Sequence, residues 1–203
     1  MIITSFFFIF NFMINKRIVL GSGSPRRKEL IASLGVPFRI EIKSIDETVP
    51  STIPIEQAAL YLAQQKALPL IDSIVKDEVL LTSDTIVLHD NTILGKPRDA
   101  HEAKTMLETL SNDCNEVITG VYLTDGNHIE AFSVNTKVYF KALTSDEIAY
   151  YINKFQPFDK AGAYGIQEWI GKIGVQRIEG CFYNVMGLPI AKVWEKLLKF
   201  SEN

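Results

Sequence analysis

The stretch Arg17–Gly35, "RIVLGSGSPRRKELIASLG", passes from an apolar run through a glycine–serine turn into an amphipathic segment. "RIVLGS" has the make-up of a buried strand. Ser24 followed by Pro25 reads as an N-cap and first helical residue, because serine accepts from the orphan amides and proline needs no donor there. Leu30, Ile31 and Leu34 give that helix one apolar face, and Gly35 supplies its stop. A strand feeding a helix through so short a turn is the opening of an α/β protein. The turn also crowds Ser22, Ser24, Arg26 and Arg27 around two glycines. Glycine lets backbone approach a ligand closely and a helix start favours negative charge, so the chemistry suits a phosphate. A solvated first turn capped by Ser24 accounts for the same residues.

Downstream, "FRIEIKS" alternates from Phe38 to Ile42 as a half-exposed strand, and "PIEQAALYLAQQKAL" places Ile55, Ala58, Ala59 and Leu62 on one helical face. "EVLLTSDTIVLHDN" is a strand running into a turn. Asp99 precedes Glu102 in a capping-box pattern, and Thr144 with Glu147 makes a second. "EVITGVYLTDGNHIEAFSVNTKVYF" folds as a hairpin about Asp125–Gly126. "FDKAGAYGIQEW" is glycine-rich and irregular, and Pro189 opens a last helix ending in "VWEKLLKF". The order is mixed α/β with an antiparallel hairpin, so a purely parallel doubly wound sheet is disfavoured.

With 203 residues and 47% hydrophobic content, the chain can bury one domain's core. Lys+Arg 21 against Asp+Glu 24 leaves a net charge of −3, which argues against a coat for nucleic acid polymers. Cys114 and Cys181 form no CxxC pair. His89, His101 and His128 lack the HExxH spacing and read as surface residues, so neither zinc nor a disulfide scaffold is indicated. A reducing cytoplasm fits that pattern. Residues 1–15 form an apolar extension, with Phe6, Phe7, Phe8, Phe10 and Phe12, ahead of a domain spanning 16–203. The run falls short of the roughly 20 residues a membrane helix takes and has no signal-peptide pattern. Met13 offers a second start, so a misassigned beginning or a dispensable extension, rather than a membrane anchor, is the expectation.

Two familiar phosphate motifs fail: no G-x-x-x-x-G-K-[ST] string occurs, and Arg26 stands where a dinucleotide fingerprint needs its third glycine. Arg26 and Arg27 instead suggest grip by guanidinium forks. A second cluster lies in "SDTIVLHDNTILGKPRD". Asp84 sits within an apolar strand, where an unpaired carboxylate is costly, and Lys96 follows across a short turn. Glu47, in "SIDETVP", offers another carboxylate. Carboxylates can hold Mg²⁺ beside substrate phosphates and accept a proton from water, while cations offset charge on the leaving group. Viewed alone, Asp84 is also readable as a strand-end residue and Glu47 as plain surface charge.

"LGSGSPRRKELIASLG", "SDTIV", "LGKPRDAHEAKTMLETLS", "DKAGAYGIQ" and "GLP" occur in an order that resembles the Maf family of nucleoside triphosphate pyrophosphatases. The resemblance runs from about Lys16 to the C-terminus. It implies a mixed α/β fold, an elongated mixed sheet flanked by helices in two lobes with a nucleotide-binding cleft between them. It implies hydrolysis of a nucleoside triphosphate to monophosphate and pyrophosphate with a divalent metal, Mg²⁺ or Mn²⁺. By motif position, Ser22, Arg26, Arg27 and Lys66 would hold phosphates and Lys96 would steady them. Asp84 would accept the proton, and Glu47 would serve the metal or water beside it. Arg26, Thr85 and Gln167 match positions that sort substrates. "YGIQ" resembles the branch acting on dTTP and UTP, with modified pyrimidine nucleotides as further candidates for a pool-sanitising activity. The alternatives are the branch acting on 7-methyl-GTP and a non-catalytic nucleotide-binding regulator of cell division. The family also suggests a homodimer and no membrane partner.

The chain departs from the family pattern at Asn112 and Asn115, expected in a loop outside the chemistry, and at Cys181, expected to be a small packed residue. Trp169, Tyr164 and Phe182 could stack on a base. The core is the preferred reading for Phe182, and Tyr164 is open.

Overall fold

In the computed structural model, which describes residues 14–201, β1 (Arg17–Leu20) leads into α1 (Pro25–Ala32). Ser24 keeps extended backbone, its side chain accepts from the Arg27 amide, and Pro25 occupies the first turn. Gly35 then takes a left-handed φ of 69°, as a helix stop requires. Of the apolar extension, residues 1–13, the alternative start Met13 among them, lie outside the described residues, and Ile14 is buried.

β1 pairs in parallel with both β2 (Phe38–Ile40) and β3 (Glu78–His89), Ile18 facing Phe38 on one side and Val79 on the other. Parallel neighbours need crossovers. α1 lies on the first, and α2 (Ala58–Ala67) lies on the second, between short 3-10 segments at Ile55–Gln57 and Leu68–Ser73. β2 stops at Ile40 rather than Ile42. Leu20 O accepts the Glu41 amide at 3.1 Å, and β1 then turns at Gly21, leaving Ile42 nothing to pair with.

β4 (Thr92–Leu94) returns antiparallel along the end of β3 after a turn at Asp90 and Asn91. Their φ values of 46° and 58° fit the tight turn that matches strand twist. After α3 (Ala100–Leu110) come β5 (Cys114–Thr124) and β6 (Ile129–Phe140). In the connection between them Asp125 Oδ1 accepts from the amides of Asn127 and His128, and Gly126 takes φ +94°. α4 (Ser145–Phe155) carries the full reciprocal Thr144–Glu147 capping box. The segment read as irregular, residues 158–169, holds only a 3-10 turn at Ala161–Ala163; beyond it come α5 (Trp169–Gly174), β7 (Val175–Glu179) and α6 (Phe182–Val185), and α7 (Ile190–Leu198) follows Pro189. The seven-stranded mixed sheet has the order β2-β1-β3-β5-β6-β7, with β4 beside β3. No helix of the described residues is long and apolar enough to cross a membrane.

The chain divides into two compact units. The first comprises residues up to Asp84, Gly120–Ser133 and Gly187 onward; Val19, Ala63, Ala67, Leu70, Leu80 and Tyr122 form a buried cluster within it. The second comprises Thr85–Thr119 and Val134–Met186, where α3 packs on α4 and Leu107, Leu110, Ile148 and Tyr151 are buried.

Candidate active site

In the first unit the glycine–serine turn is built by close packing. The Gly21 amide donates to Leu81 O at 2.8 Å, and a Cβ there would stand 2.5 Å from Thr82 Cγ2, so only glycine lets the turn lie this close to β3. Ser22 follows, buried, its Oγ accepting from the Ser24 amide and from Arg27 Nη1, both at 3.3 Å. Arg27 spends its fork on main-chain carbonyls: Nε donates to Gly187 O and Nη1 to Ser83 O, each at 2.8 Å. Burial pulls its guanidinium below the ordinary range; Asp84 and Glu47 oppose that shift, and Arg26 adds to it. Arg26 is half-buried beside it, while Lys28 faces solvent.

Lys66, in the last turn of α2, joins the two carboxylates. Its Nζ donates to Asp84 Oδ1 at 2.5 Å and lies 2.8 Å from Glu47 Oε1. Asp84 keeps only 14% of its side chain exposed against 58% for Glu47, so the pair has an enclosed member and an open one. Two contacts set the helix that carries Lys66. Thr82 Oγ1 donates to Ala63 O at 2.6 Å, tying α2 to β3 two residues before Asp84. Gly120 of β5 lies under α2, where a Cβ would fall 2.3 Å from Leu60 backbone. The loop bearing Glu47 is shaped locally: Asp46 Oδ1 accepts from the Thr48 amide and hydroxyl, which lowers its pKa. Ser83 is fully buried, and among the described residues its Oγ has no hydrogen-bond partner.

The second unit holds the other expected residues. Thr85 Oγ1 and Thr119 Oγ1 are 2.9 Å apart, and Thr119 Oγ1 donates to Asn184 O at 3.2 Å. Thr119 has one proton, so Thr85 supplies the hydrogen between the two. Lys96 is exposed after β4, where Gly95 O accepts the Gly162 amide. Gln167 lies on a loop fastened on both sides. Tyr151 Oη accepts the Gly165 amide at 3.0 Å and donates to Glu168, and Glu168 pairs with buried Lys160 at 3.1 Å. The structure therefore joins Glu47, Lys66 and Asp84, and separately Ser22 and Arg27. Thr85, Lys96 and Gln167 belong to the other unit.

Three expectations are corrected. Phe182 is not core: it is 40% exposed and lines a groove with Gln167. Asn115 is in β5, buried, accepting from Tyr164 Oη at 2.9 Å, so Tyr164 is a hydrogen-bonded core residue. His89 is buried at the end of β3, with Nε2 3.0 Å from Asp113 Oδ2. His89, Asp90 and Asp113 bring three ligand atoms within 4.8 Å of one another. The carboxylates nevertheless address opposite ring nitrogens, Asp90 Oδ2 standing 3.9 Å from Nδ1, so the group reads as an imidazole–carboxylate pair. The oxygen donors suited to a hard divalent ion are Glu47 and Asp84.

Residues 17–200 match the family of Maf-like proteins, and the chain belongs to that family. Among curated relatives, the dTTP/UTP pyrophosphatase of Bacteroides fragilis is 47% identical over 182 residues, 89% of this chain and 94% of its own. The dTTP/UTP pyrophosphatase of Porphyromonas gingivalis is 47% identical over 190 residues, 92% and 96% of the two chains. That of Cytophaga hutchinsonii is 45% identical over 189 residues, 93% of this chain and 86% of its own.

Proposed function

We propose that the protein hydrolyses dTTP and UTP to the nucleoside monophosphate and pyrophosphate. The observation that carries this reading is the Lys66 ammonium held between Asp84 and Glu47, 2.5 Å and 2.8 Å from their oxygens. A binding protein has no use for two carboxylates converging where a ligand's phosphates would lie, because they repel it. A hydrolase needs one of them to take the proton from attacking water. Asp84, the more enclosed, is assigned that task. Lys66 holds it in place by its 2.5 Å bond and stands ready to meet phosphate charge.

Ser22, Arg26, Arg27 and Lys96 are assigned to the triphosphate. Arg27 is pre-organised for this by its two carbonyl anchors, which fix the guanidinium before any ligand arrives. Glu47 and Asp84 suit a divalent ion such as Mg²⁺ or Mn²⁺, since two carboxylate oxygens already share one cation here and such ions take one or two carboxylates beside substrate phosphates. When bound, the ion would offset phosphate charge. The naming of relatives at 45–47% identity over about nine-tenths of the chain supports dTTP and UTP as the substrates.

Pyrophosphate release from dTTP, UTP, CTP, GTP, ATP and 7-methyl-GTP, with Mg²⁺ or Mn²⁺, tests the proposal. The expected result is a preference for dTTP and UTP. Preference for the methylated purine, or tight binding with no release from any nucleotide, would overturn it.

A further inference from the structure

A groove in the second unit, of about 440 Å³, is lined by Gln167 of the clamped loop and Phe182 of α6, with Ile166, Val175, Ile178 and Lys172 around them. Two features of its wall bear on what it could take. Gln167 Oε1 is buried, yet among the described residues it has no hydrogen-bond partner. Phe182 is 40% exposed and lines the groove together with Ile166, Val175 and Ile178.

Both mounts are anchored by hydrogen bonds to buried side chains. Asn184, two residues beyond Phe182 on α6, is fully buried and donates through Nδ2 to Val117 O at 2.9 Å and Thr136 Oγ1 at 3.0 Å. Its main-chain carbonyl accepts from the Thr119 hydroxyl, which in turn accepts from Thr85. Gln167 sits between Gly165 and Glu168, both held by Tyr151. An aromatic face and an amide on fixed supports, the amide with an acceptor in want of a donor, fit a flat ring with a polar edge.

We propose that Phe182 is a specificity-determining residue that stacks on the pyrimidine whose edge Gln167 reads. The inference rests on the dTTP/UTP reading and adds to it a residue and a mode of recognition. Uracil and thymine carry an N3–H flanked by carbonyls. Gln167 Oε1 accepts from that N–H, and its amide donates to a neighbouring carbonyl oxygen. Cytosine has no proton on N3 and sets acceptor against acceptor. Stacking on Phe182 supplies affinity that does not depend on which pyrimidine is bound, and hydrogen bonding at Gln167 supplies the choice. Tyr183 meets the Phe182 ring at 85° with centroids 5.7 Å apart and is not among the groove's residues.

The test uses the full chain with Phe182→Ala, Phe182→Trp and, as a control, Tyr183→Ala. Steady-state kinetics are measured with dTTP, UTP and CTP, nucleotide binding by calorimetry, and inhibition by tripolyphosphate, which has no base. Phe182→Ala should raise KM for dTTP and UTP roughly 5- to 150-fold, the range that loss of one stacked base implies. It should leave kcat within about three-fold and the tripolyphosphate inhibition constant unchanged. Phe182→Trp should restore KM, and Tyr183→Ala should match wild type. Phe182 is largely outside the core, so melting temperatures should agree within a few degrees.

If wild type turns over dTTP and Phe182→Ala keeps its KM within two-fold, the stacking assignment falls and the pyrophosphatase reading stands. If KM and tripolyphosphate inhibition worsen together, Phe182 acts on the fold or on phosphate binding, and the assignment again falls. If wild type releases no pyrophosphate but binds dTTP with an affinity that Phe182→Ala weakens and Phe182→Trp restores, the activity reading falls and the base site stands.

Discussion

Lys66 is the residue on which the first unit's charges turn. It sits in the last turn of a helix, where a cation is already favoured by the exposed carbonyls, and its partners come from distant parts of the chain. Asp84→Asn keeps the shape of the side chain but removes the proton acceptor. Turnover should fall about 10²–10⁴-fold, the usual cost of a lost general base, with melting temperature little changed. Turnover of dTTP within a few-fold of wild type would exclude Asp84 from that role. Arg27 has a second duty besides charge. Its two 2.8 Å bonds satisfy carbonyls of Ser83 and Gly187, and an unsatisfied buried carbonyl costs about 1–3 kcal/mol. Arg27→Ala should therefore lower unfolding stability by about 2 kcal/mol or more as well as weaken nucleotide binding. Lys28→Ala, on exposed surface, should stay within about 0.5 kcal/mol. Denaturant titrations of the two variants separate them; equal losses would mean that the carbonyl bonds contribute nothing.

The elements are positioned by small-residue contacts and by caps. Gly120 has no left-handed φ to justify it; space does, because α2 backbone passes where a Cβ would be, 2.3 Å away. Gly120→Ala should force α2 off β5, costing at least the roughly 1–3 kcal/mol of an overpacked core. Lys66 would be displaced with the helix, so activity should drop further than the stability loss alone explains. Thermal unfolding together with dTTP turnover reads both effects, and a variant normal in each would show that α2 is free to shift. The caps were legible from sequence to different degrees. Ser24 and Thr144–Glu147 behave as their spacing implies. Asp99 accepts from the Glu102 amide, but Glu102 turns to the amide and Nε of Arg98 instead of closing the box. Glu102 Oε2 thereby gains two donors from one residue, one of them charge-assisted, where the box would give it a single neutral amide. Helix α5, strand β7 and helix α6 were missed because they are only six, five and four residues long. β7 exists as a strand through its pairing with β6, Val138 opposite Ile178, and not through its own composition.

Across the whole molecule, the carboxylates pulled down furthest among the described residues are Glu78, Asp125 and Glu130, all in the first unit. Glu78, buried at the start of β3, is brought down to about 2 by hydrogen bonds, chiefly from Arg39 and also from Arg17. Glu130 is held at about 2 by Lys199 and Lys196. Burial alone would raise Asp125, but bonds from Lys16 and from the His128 and Asn127 amides outweigh it and leave it at about 2. A carboxylate with a depressed folded pKa adds stability above its unfolded pKa of about 4, and that stability drains away as pH falls towards 2. Melting temperature should thus be flat above about pH 5 and fall steeply between pH 4 and 2. Glu78→Gln should start lower and fall less, and a parallel curve would remove Glu78 from the account.

What the sequence determined by itself is local or modular: the strand–turn–helix at Arg17–Gly35, the capped helices, the hairpin about Asp125–Gly126 and the family. Each depends on residues a few positions apart, whose backbone and capping preferences act without the rest of the chain. The tertiary structure decided which polar groups meet. It placed Lys66 between Glu47 and Asp84, gave Arg27's fork to two carbonyls, buried Asn115 and His89, and left Phe182 exposed beside Gln167. These follow from burial and from hydrogen bonds between distant segments, and a periodicity read along the chain carries no record of which distant partner satisfies a buried polar group.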